Sequence, residues 1–168
     1  TAYRFSGYWK DVGTIDSLWD ANMDMLSPAS AGFDVYDTEW PIYARTAVRP
    51  PHFTGAEAIL THSIVTSGCE VYGTVEDSVL FHSVTVEEGA RVRYSILMPG
   101  AVVKKGAVVE YAIVAERAVI GEYAHVGGDK SKDPEWGIAV VAQDLKVGKG
   151  ALVPPGAMIT RNVKGVRA

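Results

Sequence analysis

Residues 78–114 read SVLFHSVTVEEGARVRYSILMPGAVVKKGAVVEYAIV, and their apolar positions keep a fixed step. At a period of 17, Val75, Val92, Val109 and Val126 fall in one column, and Leu80, Leu97 and Val114 in a second. Val86, Val103 and Ile120 make a third column, and Ala90, Ala107 and Ala124 a fourth. After Val126 comes a polar stretch at 127–136, GGDKSKDPEW; when it is skipped, Val141, Val147, Ala151 and Val153 resume the same four columns. The chain is 48% hydrophobic, so one column of four apolar residues has a chance probability of about 0.05, and several agreeing columns are not accidental. Within each repeat the apolar residues recur about every six, as at Val102, Val108, Val114, Ile120 and Val126. Six residues are too few for a helix plus a strand, but they suit a short strand and a turn. Three such units make one coil of a prism, and successive coils stack like residues on like. The small Ala columns fit the corners, as does a turn column of Gly89, Gly106 and Gly150 with Tyr123 as its odd member. The expected fold is mainly β, a parallel β-helix. Alternating strands of a β-sandwich would not hold a register over several repeats. The open ends of the stack need cover, from the Pro154-Pro155 region, from the preceding connector, or from a second copy of the chain.

Outward from this block, composition excludes several classes. The 168 residues carry 16 Lys+Arg against 20 Asp+Glu, a net charge of −4. A partner that must be met by neutralising phosphates, such as a nucleic acid, is not expected. Neither is a membrane span, since no apolar run approaches about 18 residues. The single cysteine, Cys69, has no internal disulfide partner, which points to a reducing, cytoplasmic setting. No signal peptide is visible. The chain opens at Thr1 with Tyr3, Phe5, Tyr8 and Trp9 close behind, which reads as a fragment or a processed product.

Ahead of the repeats, residues 1–26 read as a short strand, a turn and a helix. Thr14 is placed to cap the helix. Ile15, Leu18, Trp19, Met25 and Leu26 share one face, and Asp16 and Asp20 sit early, where the helix dipole favours them. Ser27-Pro28 should end it. Residues 27–53 form a connector broken by Pro28, Gly32, Pro41, Pro50 and Pro51. Trp40, Ile42, Tyr43 and Val48 make it too apolar for a free linker. The β-helix domain is expected over 54–168.

The stretch at 5–24, FSGYWKDVGTIDSLWDANMD, resembles the end of the catalytic domain of the bacterial glucose-1-phosphate adenylyltransferase family, the ADP-glucose pyrophosphorylases. The family pattern is Y-W-x-D-V-G-T followed by a helix with A-N-M-D. Residues 78–114 resemble the β-helix domain of the same family, and 137–159, GIAVVAQDLKVGKGALVPPGAMI, its last coils. Spacing alone gives no handedness, and the general crossover preference is right-handed; hexapeptide repeats as a class are left-handed, and a left-handed β-helix follows from that resemblance. The chain then resembles the C-terminal portion of such an enzyme, with residues 1–26 the remnant of an α/β nucleotidyltransferase domain.

The resemblance implies a reaction of ATP with glucose 1-phosphate to give ADP-glucose and pyrophosphate, toward glycogen, with Mg²⁺ bridging phosphates. It implies that Asp11 is a catalytic metal ligand, a hard oxygen of the kind Mg²⁺ prefers; the flat apolar face of Trp9 is suited to border the sugar or to order the site. From the residues alone, Asp11 also reads as a turn-capping aspartate, and Trp9 as core packing. The family's glycine-rich nucleotide loop is absent, so the chain is expected to be inactive by itself. For the β-helix the resemblance implies oligomer assembly, as a tetramer, and binding of sugar-phosphate or phosphate effectors. Arg45, Arg49, Lys104 and Lys105 are candidate effector contacts, and Arg117, Lys130, Lys132 and Arg161 further cations; any of them also reads as a solvated surface charge. The stretch at 127–136 reads as a surface loop or as an effector or subunit contact.

Two other readings stay open. One is a hexapeptide-repeat acyltransferase with a histidine base, which leaves YWKDVGT unexplained. The other is a non-catalytic regulatory subunit of the same enzyme. His62, His82 and His125 occupy different columns, since His82 aligns with Pro99 and Glu116, and His125 with Arg91 and Val108. They are not expected to converge on a zinc ion.

Overall fold

The Val, Leu and Ile columns resolve into lines of strand partners, and the Ala column into the corner residues just ahead of the second sheet's strands. The computed structural model describes residues 2–32, 34–39, 41, 48–129 and 136–166. From Phe53 onward its strands form three six-stranded sheets, each entirely parallel. The first comprises β1 (Phe53–Thr54), β4 (Glu70–Val71), β7 (Thr85–Val86), β10 (Val102–Val103), β13 (Val119–Ile120) and β16 (Lys146–Val147). The second comprises β2 (Ile59–Thr61), β5 (Thr74–Glu76), β8 (Arg91–Arg93), β11 (Val108–Glu110), β14 (His125–Gly127) and β17 (Leu152–Val153). The third comprises β3 (Ile64–Val65), β6 (Val79–Leu80), β9 (Ile96–Leu97), β12 (Ala112–Val114), β15 (Ala139–Val141) and β18 (Met158–Ile159). The chain visits the sheets in rotation, which makes a parallel β-helix of about six coils, consistent with the left-handed class of hexapeptide repeats.

The register runs Leu60, Val75, Val92, Val109, Val126, Val153 on the second sheet. On the third it runs Val65, Leu80, Leu97, Val114, Val141, Ile159. Val75, Val92, Val109, Val126, Leu80, Leu97 and Val114 are buried in one continuous core. The ten extra residues between β14 and β15 leave that register intact, with Trp136 Nε1 donating to Gly128 O at 3.0 Å across the base of the excursion. The first coils depart from the period of 17. Leu60 pairs with Val75, fifteen residues on, because the corner between β4 and β5 is reduced to Tyr72-Gly73. A Cβ at Gly73 would collide with the Ala90 carbonyl oxygen, so the short corner requires glycine.

The corners are turned by columns of left-handed residues. One is His62, Asp77, Tyr94 and Tyr111; another is Ser83, Gly100, Arg117 and Asp144; a third is Gly89, Gly106, Tyr123 and Gly150. Tyr123, with φ 55°, therefore does the same job as its glycine neighbours. A side chain in this conformation costs about 1 kcal/mol. The ladder offsets that cost, since these N–H groups donate to the corner carbonyls one coil back: Tyr94 to Glu76 O at 3.2 Å, Arg117 to Pro99 O at 3.0 Å, Tyr123 to Lys105 O at 3.0 Å. Buried serines complete the first of these corners. Ser78 Oγ accepts from Ser95 N at 3.1 Å and donates to Glu76 O at 2.7 Å; Ser95 Oγ accepts from Ala112 N at 3.2 Å and donates to Arg93 O at 2.7 Å.

Helix α1 (Ile15–Asp24) is capped by Thr14, whose hydroxyl accepts from Ser17 N at 3.1 Å. It ends at Asp24 rather than at Ser27, and Pro28 begins a one-turn helix, α2 (Pro28–Ala31). Proline suits the first helical position, where no N–H is needed. The short strand expected before α1 is not present among the described residues: 2–13 form no helix or strand and pair with no sheet. A strand exists only beside a partner edge. Connector residue Pro50 lies on the first coil, its carbonyl accepting from Gly68 N at 2.7 Å. At the far end, Pro154-Pro155 turns the corner between β17 and β18, and Val163 pairs with Val147 as a start on the next coil. Among the described residues no helix is long and apolar enough to cross a membrane.

Candidate functional site

The third sheet differs from the others in having two apolar columns. Leu80, Leu97 and Val114 face inward, while Ile96 and Ile113 face outward and are nonetheless buried. What covers them is α1: Ile15, Leu18, Trp19 and Met23 pack on Ile96, Ile113 and Ile138, with Tyr111, Phe81, Met98 and Trp136 around them. The paired apolar residues VL, IL and IV at 79–80, 96–97 and 113–114 carry this signal in the sequence, because a sheet buried on both faces has no polar side to alternate. Trp19 Nε1 donates to Tyr94 O at 2.8 Å. Its ring lies 5.9 Å from that of Tyr111, which stacks on Tyr94 at 4.7 Å and meets Trp136 edge-on at 5.3 Å. The helix is thus fixed to the β-helix by apolar burial and by one directed bond.

The segment ahead of α1 reaches back to the helix's C-terminal end through Tyr8 and Lys10. Tyr8 Oη donates to Asp24 Oδ2 at 3.0 Å, and Lys10 Nζ donates to the same oxygen at 2.7 Å. The Lys10 hydrogen bond holds the Asp24 carboxyl below its ordinary range. Between the two donors, Trp9 is 77% exposed and does not pack in a core. Asp11 is exposed, and its Oδ1 accepts from Gly13 N at 3.1 Å. That bond is a turn cap, and it orients the carboxylate without burying it. One exposed hard oxygen fits a Mg²⁺ ion that keeps most of its shell from water and phosphate. Among the described residues no three His, Cys, Asp or Glu side chains gather as a metal cage.

The candidate cations are spread over the β-helix. Arg45 lies outside the described residues, as do Lys130 and Lys132. Arg49 is exposed beside the Gly68 corner, between the third and first sheets. Lys104 and Lys105 lie at the corner between β10 and β11, on another edge of the prism. Lys104 Nζ bonds Glu87 Oε1 at 2.9 Å, and the backbone N of Lys105 donates to Glu87 Oε2 at 2.8 Å. The Lys105 side chain lines a surface hollow with Tyr72, Glu87 and Glu88. Arg117 grips Asp144 through two bonds, 2.6 and 2.9 Å, and Arg161 borders a hollow along 158–163. The Lys104–Glu87 spacing equals one coil, so such pairs could have been found by looking one period away for the opposite charge.

The histidines stay apart. His125 Nε2 is 3.9 Å from Glu110 Oε2. His82 Nδ1 is buried without a hydrogen-bond partner among the described residues. His62 ties the two parts of the chain together, with Nδ1 at 2.7 Å from Asp77 Oδ1 and Nε2 at 2.9 Å from Leu26 O, just beyond α1. Two acceptors at the two ring nitrogens call for two N–H donors, the imidazolium form. The bond to Asp77 accordingly raises the His62 pKa above the ordinary 6.5. The tie is complete below the unfolded value near 6.5 and is lost as pH rises through the raised folded value. In NMR, the His62 ring is expected to titrate above the free-imidazole value near 6.5. The Tm gap between the parent and His62→Gln should also shrink as pH rises through that value; a gap independent of pH would contradict the assignment.

A sequence profile for the family described as GlmU-like, C-terminal hexapeptide matches residues 50–147. Among curated proteins, the glucose-1-phosphate adenylyltransferase of Acetivibrio thermocellus is 37% identical over 163 residues, covering 96% of this chain and 38% of that protein. The protein of that name from Clostridium perfringens (strain SM101 / Type A) is 48% identical over 103 residues, covering 61% of this chain and 26% of that one. The one from Bacillus thuringiensis (strain Al Hakam) is 46% identical over 102 residues, covering 61% and 27%. The chain therefore spans between 26% and 38% of the length of these relatives.

Proposed function

The chain belongs to the GlmU-like, C-terminal hexapeptide family, and from that premise we propose that it is the C-terminal portion of a glucose-1-phosphate adenylyltransferase. The whole protein would join ATP and glucose 1-phosphate to form ADP-glucose and pyrophosphate. The observation that carries this reading is the likeness to the Acetivibrio thermocellus enzyme, which runs over 163 residues, through YWKDVGT, α1 and the coils alike. The docking of α1 on the third sheet supports it, because the segment and the β-helix are packed as one unit. An acyltransferase would leave that docked segment without a role.

In this reading Asp11 is one ligand of a Mg²⁺ ion, which supplies charge compensation to the phosphates when bound. The chain's own contribution is placement. The Gly13 amide fixes the Asp11 carboxylate, the Asp24 carboxylate holds the segment on α1, and Trp9 presents an open aromatic face beside it. The β-helix carries subunit association and the binding of phosphate-bearing effectors, with Arg45, Arg49, Lys104 and Lys105 as contacts. Leu152 and Met158, 69% and 64% exposed on the last coil, supply apolar surface for association.

The test is synthesis of ADP-glucose by the full-length protein. Asp11→Asn is expected to lower kcat/KM by more than about 100-fold, beyond the loss typical of residues that merely support a metal ligand. The 168-residue chain alone is expected to show no turnover. Parental activity in full-length Asp11→Asn, or turnover by the chain alone, would overturn the reading.

A further inference from the structure

The acidic end of α1 is on the wrong side for its charge. Asp24 closes the helix, where the dipole is negative and a carboxylate is disfavoured. Its Oδ2 instead collects two donors, Tyr8 Oη at 3.0 Å and Lys10 Nζ at 2.7 Å. Tyr8 and Lys10 alternate with Trp9 and Asp11 along the segment, and both reach that one oxygen. Burial follows the same alternation: residues 8 and 10 are half-buried, 9 and 11 exposed. One carboxylate therefore grips the inner edge of a segment whose outer edge presents Trp9 and Asp11.

We propose that Asp24 is a positioning residue for the metal-binding and sugar-facing edge of this segment, acting through Tyr8 and Lys10 to set the direction in which Asp11 and Trp9 project. The inference rests on Asp11 being a Mg²⁺ ligand. Asp24 touches no substrate; it converts a chain without sheet partners at 2–13 into a fixed arm on α1. The helix is in turn bolted to the coils through Trp19 and Tyr94, so the arm takes its orientation from the β-helix.

The experiment uses the full-length protein and two readouts. Binding of Mn²⁺, as a spectroscopic stand-in for Mg²⁺, is followed by electron paramagnetic resonance without turnover. Amide exchange is followed by mass spectrometry over residues 2–13. Asp24→Ala is expected to weaken Mn²⁺ binding by about 10- to 100-fold, as for partners that orient a ligand. It is also expected to speed exchange at 8–13 while leaving exchange in β9 and β12 at the parental rate. Asp24→Asn keeps an acceptor for Tyr8 and is expected to fall between. Lys10→Gln, which leaves α1 intact, is expected to reproduce part of the loss should Asp24→Ala fold poorly. Parental Mn²⁺ affinity in Asp24→Ala and Lys10→Gln, alongside weakened binding in Asp11→Asn, would overturn this inference alone. Parental affinity in Asp11→Asn would overturn the metal assignment beneath it.

Discussion

Leu97→Ala is expected to lower the unfolding free energy by about 3 kcal/mol, within the 2–5 kcal/mol typical of buried leucine truncations. Leu97 is fully buried, on β9, with Leu80 paired on one side and Val114 on the other. Its inward neighbours are Val and Ala columns stacked at ladder spacing. Each coil is held at that spacing by the hydrogen bonds of three sheets, so the walls cannot move in to fill the void. In a chain of this length the loss corresponds to a Tm fall of roughly 6–12 °C. The outward residue next to it, Ile96, is covered by α1, so the truncation strikes where the two buried layers meet. Urea unfolding followed by circular dichroism measures the loss. A change below about 1 kcal/mol would mean that the interior collapses around the gap, and that the rigid stack described above is wrong.

Gly127→Ala is expected to cost as much or more, for a different reason. Gly127 has φ 78° and pairs with Glu110, and a Cβ there would run into the Glu110 carbonyl oxygen. That oxygen also accepts from Gly128 N at 3.1 Å. Alanine must therefore lift the backbone off the coil below, at the base of the excursion that Trp136 closes. The summed strain and lost pairing are expected to reach about 3 kcal/mol. Gly89→Ala is the control. Gly89 has φ 68°, but a Cβ there would come no nearer than 3.9 Å to Gly106 N. Only the left-handed conformation is then penalised, by about 1 kcal/mol. Thermal unfolding of the two variants separates steric collision from conformational preference; equal losses would rule out the collision.

The inward columns were legible because stacking is strictly periodic: Val75, Val92, Val109 and Val126 had to be like residues if each packs on the next. The shortened corner at Tyr72-Gly73 was not, since losing two residues moves the preceding coil out of phase and hides Leu60 and Val65 from a search at 17. The corner conformations were half legible. Gly89 and Gly106 announced a left-handed position, while Tyr94, Tyr111 and Tyr123 adopt it with side chains attached, held by ladder bonds that sequence does not display. For the candidate site, the apolar stripe of α1 was visible in Ile15, Leu18 and Trp19. Its target, the outward face of Ile96 and Ile113, was present in the same letters as the core and was absorbed into it. The grip of Asp24 on Tyr8 and Lys10 follows no period, because it joins residues 14 and 16 apart across an irregular turn. Chemistry alone does not tell which of several aspartates receives them.

A column of rungs in which each touches only those beside it would ordinarily come undone from either tip, one layer at a time. Here α1 lies against Ile96, Ile113 and Ile138, on three successive layers. Parting any two of them also peels the helix away, so unzipping that starts at β17 and β18 must halt at this splint until the three layers give way together. The segment bearing Asp11 is thereby anchored to the most durable stretch of the molecule.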